Sequence, residues 1–337
     1  MDLTSYFDVG QTALELAMLN GLTVLALFLS YSMLNVCDLS TDGCYTLGAA
    51  VGVMACVELP KIFEALASAN PGAAGFYGFL ASASPYLSLI AALLAGMVSG
   101  LITAVLQTRM GVQSLLAGIV MNTALYSVNL IITGNRSAVP IMRRTETVFT
   151  LMKGALKDTF LEQQYVLVVG VIAVALVGLF LVLFMKTKLG LAIHATGSNA
   201  DMVRSSSINP AFTTTVGLMI SNSFTALSGC LFAQQAKSFD INTGSGMVTV
   251  ALASLLIGGV FTARRSVWVR VLGAVAGAFI FRLVYAIALK FNMPAFMLKA
   301  VSALIVVIAI SAPYLTRQVK LLRRRRAANQ GRGDETC

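Results

Sequence analysis

Long apolar runs separated by short polar interruptions dominate the chain, and they predict helices long enough to cross a bilayer. Tyr165–Met185 reads YVLVVGVIAVALVGLFLVLFM without one charged residue. At about 1.5 Å of rise per residue, such a run covers the roughly 30 Å of a hydrocarbon core. Comparable runs occupy residues 13–36, 84–106, 112–133, 211–233, 267–289 and 295–314. Two shorter runs stand apart. One follows the polar stretch Asn35–Gly43 (NVCDLSTDG) and meets Pro60; the other is Met247–Phe261 (MVTVALASLLIGGVF). Each is short for a full crossing, and irregular chain at membrane depth is tolerated only against protein or a water-filled path. The pattern therefore predicts an all-α, polytopic integral membrane helical bundle of about nine transmembrane helices. It forms one domain over 1–337, with discontinuous helices near 38–48 and 247–261. A short run, a turn and a glycine-spaced span recur around both, which an internal pseudo-repeat explains.

The longest polar passage flanked by helix signals is Lys186–Pro210, KTKLGLAIHATGSNADMVRSSSINP. Asn199 or Ser198 can cap a short helix, Asp201 falls in its first turn, and Ile208-Asn209-Pro210 stops it. A helix lying along the membrane surface is expected there, placed to receive force from a partner; the plainer reading is a polar connection. Residues 134–164 form a second polar segment, carrying Arg136, Arg143, Arg144, Lys153 and Lys157 against Glu146, Asp158 and Glu162. It is either a docking surface for an external protein or a solvated loop.

Composition agrees with the pattern. Of 337 residues 57% are hydrophobic and 11% charged, with mean hydropathy +0.83, well under the roughly 25% charge of soluble domains. The net charge of +10 collects in a few loops and the tail, including Arg323–Arg326. It reads as the preference of cytoplasmic loops for Lys and Arg, with anionic lipid as a compatible partner, and nucleic acid is excluded. An acidic, Lys- and Arg-free start puts the N-terminus outside. The tail 317–337 lies inside with Arg109, 186–210 and Arg264-Arg265, and 134–164 lies outside despite its cations. No removable signal peptide is read before the first run. The cysteines Cys37, Cys44, Cys56, Cys230 and Cys337 are scattered without metal-ligand spacing and read as small apolar filler.

Polar groups inside the runs are the candidates for chemistry. Asp38 and Asp42 either cap helix ends or line a path, and one position can do both. Ser114, Asn122, Ser127 and Asn129 recur at helical spacing, as helix glue or as solute contacts, with Asn122 the best single contact. Glu15 sits near a span end as an interfacial group. Arg282, inside a span, must snorkel, pair with an acid or face water. Glycines four apart (Gly48 and Gly52, Gly96 and Gly100, Gly273 and Gly277) make smooth strips for helix packing within the chain or for dimerisation.

Three motifs carry a family resemblance. Thr187, Gly190, Ala192, Ala195, Gly197, Asn199, Arg204, Ile208 and Asn209 follow T-x-x-G-x-A-x-x-A-x-G-x-N and a basic residue before I-N. Asp38-Leu-Ser with Asp42-Gly43 and Leu47-Gly-Ala is the second, and Gly258-Gly259 before Ser266 and Gly273-Ala is the third. Together they resemble permease subunits of ABC importers in the branched-chain amino acid and ribose-type superfamily, in the branch of putative tryptophan/tyrosine permeases. Ser207 departs from the glycine usual there. The resemblance implies an ATP-driven importer in the bacterial cytoplasmic membrane, with a solute that is an aromatic or branched-chain amino acid, a nucleoside or a sugar. Its partners would be separate ATP-binding cassette ATPase subunits, an extracytoplasmic solute-binding lipoprotein and a second permease copy or homologue. It assigns coupling to the ATPase to Gly190, Ala195, Gly197, Asn199, Asp201, Arg204, Ile208 and Asn209. The translocation path falls to Asn35, Asp38, Asp42, Gly43, Asn122, Gly258 and Gly259. No phosphate-cradling P-loop occurs, and the single histidine, His194, has no catalytic or zinc-binding setting, so no enzyme activity and no cofactor are expected. An ion-coupled carrier or channel, or a scaffold that moves nothing, remain as alternatives.

Overall fold

A computed structural model of the protein describes residues 3–69, 74–142, 145–157, 162–262, 265–290, 300, 303–308 and 311. Among the described residues the named helices follow in order: α1 Leu3–Leu27, extended by a π-helical turn Phe28–Met33, α2 Thr41–Ala69, α3 Ala74–Ser82, α4 Ser84–Thr108, α5 Ser114–Ile132, α6 Val148–Ala155, α7 Tyr165–Met185, α8 Lys188–Ser198, α9 Ala200–Ser205, α10 Pro210–Ala236, α11 Met247–Thr262 and α12 Val267–Lys290. Two three-residue strands, β1 Ala138–Pro140 and β2 Ser238–Asp240, pair antiparallel with Val139 opposite Phe239. Among the described residues seven helices are long and apolar enough to cross a membrane, and α11 is a shorter apolar helix. The molecule is a polytopic helical membrane bundle.

The bundle is assembled around α10, whose neighbours approach through glycine. Gly48 and Gly52 of α2 lie on Ala226 and Cys230, and Gly96 and Gly100 of α4 lie on Asn222 and Leu218. A methyl group at any of the four would meet α10 backbone or its first side-chain atoms, so only glycine permits this approach. Hydroxyl and amide groups of α10 then bond to the neighbours: Ser221 Oγ donates to the Ala26 carbonyl at 2.8 Å, Ser228 Oγ to the Leu19 carbonyl at 2.7 Å, and Gln234 Nε2 to Ser88 Oγ at 2.7 Å. On the other side Gly258 of α11 meets the Gly273 carbonyl, and Gly277 meets Ser254. All three glycine pairs are thus used in packing within the chain.

These registers fix directions. α1 and α4 run antiparallel to α10, and α2 runs parallel to it. The turn at Arg109, α8 and α9 therefore gather at the Pro210 end of α10. The β1–β2 pair and α6 gather at the Ala236 end, where Thr147 caps α6 in a reciprocal box with Thr150 and the Val148 N–H donates to Gln234 Oε1 at 3.0 Å. Segments 134–164 and 186–210 lie at opposite ends of the bundle.

The run before Pro60 is longer than its pattern suggested. α2 continues through Pro60 as a 29-residue helix, because unravelling at a proline frees more backbone groups than the one N–H that proline lacks. Its far end is exposed and carries the Lys61–Glu58 ion pair at 2.9 Å. The discontinuity expected near 38–48 lies just ahead of α2, at residues 34–40, and α2 is unbroken from Thr41; α11 is short, at 16 residues. Most of the ninth span expected at 295–314, the tail 317–337, and Arg143, Arg144, Asp158, Arg264 and Cys337 lie outside the described residues.

Candidate functional site in the membrane bundle

The π-helical turn ends α1 with a widened bond from the Leu34 N–H to the Leu29 carbonyl at 3.1 Å. Asn35 then reverses the chain with φ +57°, a left-handed conformation that asparagine tolerates better than most residues. Residues 36–40 climb without helical structure to the middle of α10. There Asp38, fully buried, accepts the Ser40 N–H at 2.8 Å and Asn222 Nδ2 at 2.8 Å. It both starts α2 and ties that start to α10. Gly118 of α5 lies against the Leu39 backbone, closing the other side.

One turn further, the Asp42 carboxylate accepts the Gly246 N–H at 2.9 Å and the Val248 N–H at 2.8 Å. It caps the head of α11 from another helix and sits at the positive end of the helix dipole. α2 runs from this point toward the Ala236 end of α10, and α11 runs toward the Pro210 end. Two helix heads thus meet in mid-bundle, held together by one carboxylate. This is the arrangement a discontinuous, repeat-built transporter core uses to present polar backbone at depth.

Beside that junction is a cavity of about 300 Å³ lined by Asp42, Gly43, Thr46, Asn122, Tyr126, Asn129, Asn242 and Ser245, among others. Gly43 leaves room for Asn122, whose Oδ1 would be 2.8 Å from an added methyl. Asn129 Nδ2 reaches the Gly43 carbonyl at 3.4 Å, and its buried Oδ1 has no partner. Thr123 and Tyr126 on the rim are exposed on the outer face of α5, together with Leu116, Ile119, Val120 and Ile131.

At the Pro210 end, Thr187 caps α8 and Gly190 folds tightly over the Phe184 carbonyl. Ile193 of α8 is buried in the core, and Thr196 Oγ1 shares a 2.8 Å hydrogen bond with Thr213 Oγ1 of α10. Gly197 lies directly on the Met33 carbonyl and Leu34, at the foot of the α1 interruption. Asn199 Oδ1 accepts the Asp201 and Met202 N–H groups, capping α9, and Asn209 Oδ1 accepts the Ala211 N–H ahead of α10. Ala195, Asn199, Asp201, Arg204, Ile208 and Asn209 are exposed, beside Leu191, Met202 and Phe212. Ser207 has φ +62°, which explains why glycine suits that position.

The profile of the family described as "Branched-chain amino acid transport system / permease component" matches residues 11–310. The chain belongs to this permease family. It is 27% identical over 300 residues to the tyrosine transport system permease protein of Clostridioides difficile, covering 89% of this chain and 90% of that one. An uncharacterised protein of Rickettsia prowazekii is 30% identical over 247 residues, 73% of this chain and 75% of that one. The autoinducer 2 import system permease protein of Escherichia coli is 28% identical over 134 residues, 38% of this chain and 39% of that one. No solved structure matches.

In this permease the path residues named from sequence divide into three places. Asp42, Gly43 and Asn122 meet at the mid-bundle cavity, with Asp38 one turn away. Asn35 is exposed at the turn near α8. Gly258 and Gly259 lie lower on α11, where Gly258 packs on Gly273 and Gly259 faces open space. Sequence reasoning missed Asn222, Tyr126 and Ser245. For Asn222 a signal existed: Ser221-Asn222-Ser223 is a polar triplet inside an apolar run, expensive in a membrane unless partnered.

Proposed function

We propose that the permease is the membrane-spanning subunit of an ATP-driven importer of a small organic solute, an aromatic or branched-chain amino acid, in the bacterial cytoplasmic membrane. The printed function of the Clostridioides difficile relative, tyrosine transport, supports the aromatic choice. A separate ATPase pair grips α8 and α9, a solute-binding protein docks at the opposite end around 134–164, and a second permease copy closes the half-open cavity along α5. In this reading segment 186–210 is cytoplasmic, with the C-terminus on the same side and the N-terminus outside.

The observation that carries the reading is the seat of Gly197 on the Met33 carbonyl and Leu34. A push on the exposed face of α8 and α9 reaches the foot of the α1 interruption with no compressible side chain between. Residues 36–40 then lead to Asp38, Asp42 and the head of α11. A displacement of α8 changes how the two helix heads meet, and with them the mid-bundle cavity. The two arrangements bind ATP-loaded partner and solute differently, which makes the coupling thermodynamic.

The test is reconstitution of the chain with its ATPase and solute-binding chains in proteoliposomes. Gly197→Leu should leave ATP hydrolysis within about threefold while reducing solute uptake at least tenfold. Uptake that proceeds without the ATPase and collapses with a proton or sodium gradient would replace this reading with an ion-coupled carrier. Full coupling in Gly197→Leu would remove the proposed route.

A further inference from the structure

A second cavity, of about 540 Å³, lies on the other side of the α11 head and shares Ser245 with the first. Its lining includes Arg282, Tyr285, Tyr45, Phe232 and Asn20. Arg282 sits deep in α12. Its Nε is buried without a hydrogen-bond partner, and no carboxylate among the described residues lies within ion-pair distance of it. Among the described residues the Tyr285 ring lies against it, with the guanidinium carbon 5.7 Å from the centroid. A lone cation at such depth is costly, and intramembrane charges without an internal partner mark ligand sites. Tyr45 donates to Asn20 Oδ1 at 3.1 Å and leans on Phe232 with ring centroids 6.2 Å apart, making a fixed aromatic wall across the cavity.

We propose that this cavity binds the carboxylate of the transported solute, with the Arg282 guanidinium as its counter-ion and the Tyr45–Phe232 wall against the solute's apolar part. The assignment rests on the importer reading above and adds where the carboxylate and the apolar part of the amino acid are held. The fork of a guanidinium matches a carboxylate bidentately, and the volume is ample for an amino acid, within the roughly 300–1,000 Å³ of small-molecule pockets. A lipid headgroup phosphate is the other oxyanion available to a cation at this place. The aromatic wall favours a compact solute.

The test needs no ATPase, so it stands or falls apart from the coupling experiment. The full chain in phosphatidylcholine nanodiscs is titrated with L-tyrosine and L-leucine, and with tyramine and isopentylamine, which lack only the carboxylate. At least one amino acid should bind, and its amine at least tenfold more weakly. Arg282→Gln should weaken the amino acid at least tenfold and leave the amine unchanged, with Arg282→Lys intermediate. A folded fraction of Arg282→Lys matching the wild type by circular dichroism guards against a folding defect. Equal binding of acid and amine, unchanged affinity in Arg282→Gln, or no binding by either amino acid would each overturn the assignment. So would an Arg282-dependent thermal shift produced only by added phosphatidylglycerol, which would give the site to lipid.

Discussion

Asp42 and Arg282 face neighbouring cavities on either side of the α11 head, yet the protein treats them oppositely. Asp42 accepts two backbone N–H groups, at 2.9 and 2.8 Å. The Nε of Arg282 has no hydrogen-bond partner among the described residues. The first charge is consumed in joining two helices whose heads meet in mid-bundle. The second contributes nothing of that kind, so its retention in an apolar span needs another reason. Two ionisable side chains beside the same helix head thus have different roles; the partners decide.

The largest break in this comparison should come from Asp42→Ala. It removes two charge-assisted hydrogen bonds, each contributing about 1.5–3 kcal/mol, and leaves the α11 head uncapped. A loss of about 3–5 kcal/mol is expected in reversible unfolding from mixed micelles, with Asp42→Asn losing about half. Gly246→Ala comes next. Gly246 has φ +86° with nothing near an added methyl, so the cost is backbone strain alone, about 1–2 kcal/mol, read in the same assay. Arg282→Gln should change stability by less than about 1 kcal/mol, or raise it, since no bonded partner is left behind. Smallest is the coupling between the two sites. The Asp42→Ala/Arg282→Gln double variant should be additive within about 0.5 kcal/mol. A larger coupling would mean that the acid and the cation compensate each other, and the contrast drawn here would fail.

The Pro210 end of the bundle was more legible in the sequence than the mid-bundle site. Asn199, Asp201 and Asn209-Pro210 carry their meaning locally, because a cap or a stop needs only the next turn of chain: Asn199 caps α9 as expected, and Asn209, expected as part of a stop, also caps α10. Even there, the sequence pointed to one short helix where α8 and α9 both form, and it did not show that Gly190 and Gly197 are close-contact points. Pro60 misled for the opposite reason: a proline that ends a helix in water is carried through in the bundle. The importance of α10 was visible only faintly. Its best window has a mean hydropathy of 1.5 against 3.2 for α7, the sign of a helix whose polar groups are partnered inside.

By itself the sequence determined that most long apolar runs are helices, where the chain is interrupted near residue 38, and that α11 is short, because hydrophobic length and capping are sums over neighbouring residues. Tertiary structure alone decided that Asp42 holds Gly246 and Val248, that Asp38 holds Asn222, and that no acid among the described residues pairs with Arg282. Those outcomes depend on which segments some two hundred residues apart come to lie at the same depth. Glycine contacts on α10 set that register, and no local window of sequence contains it.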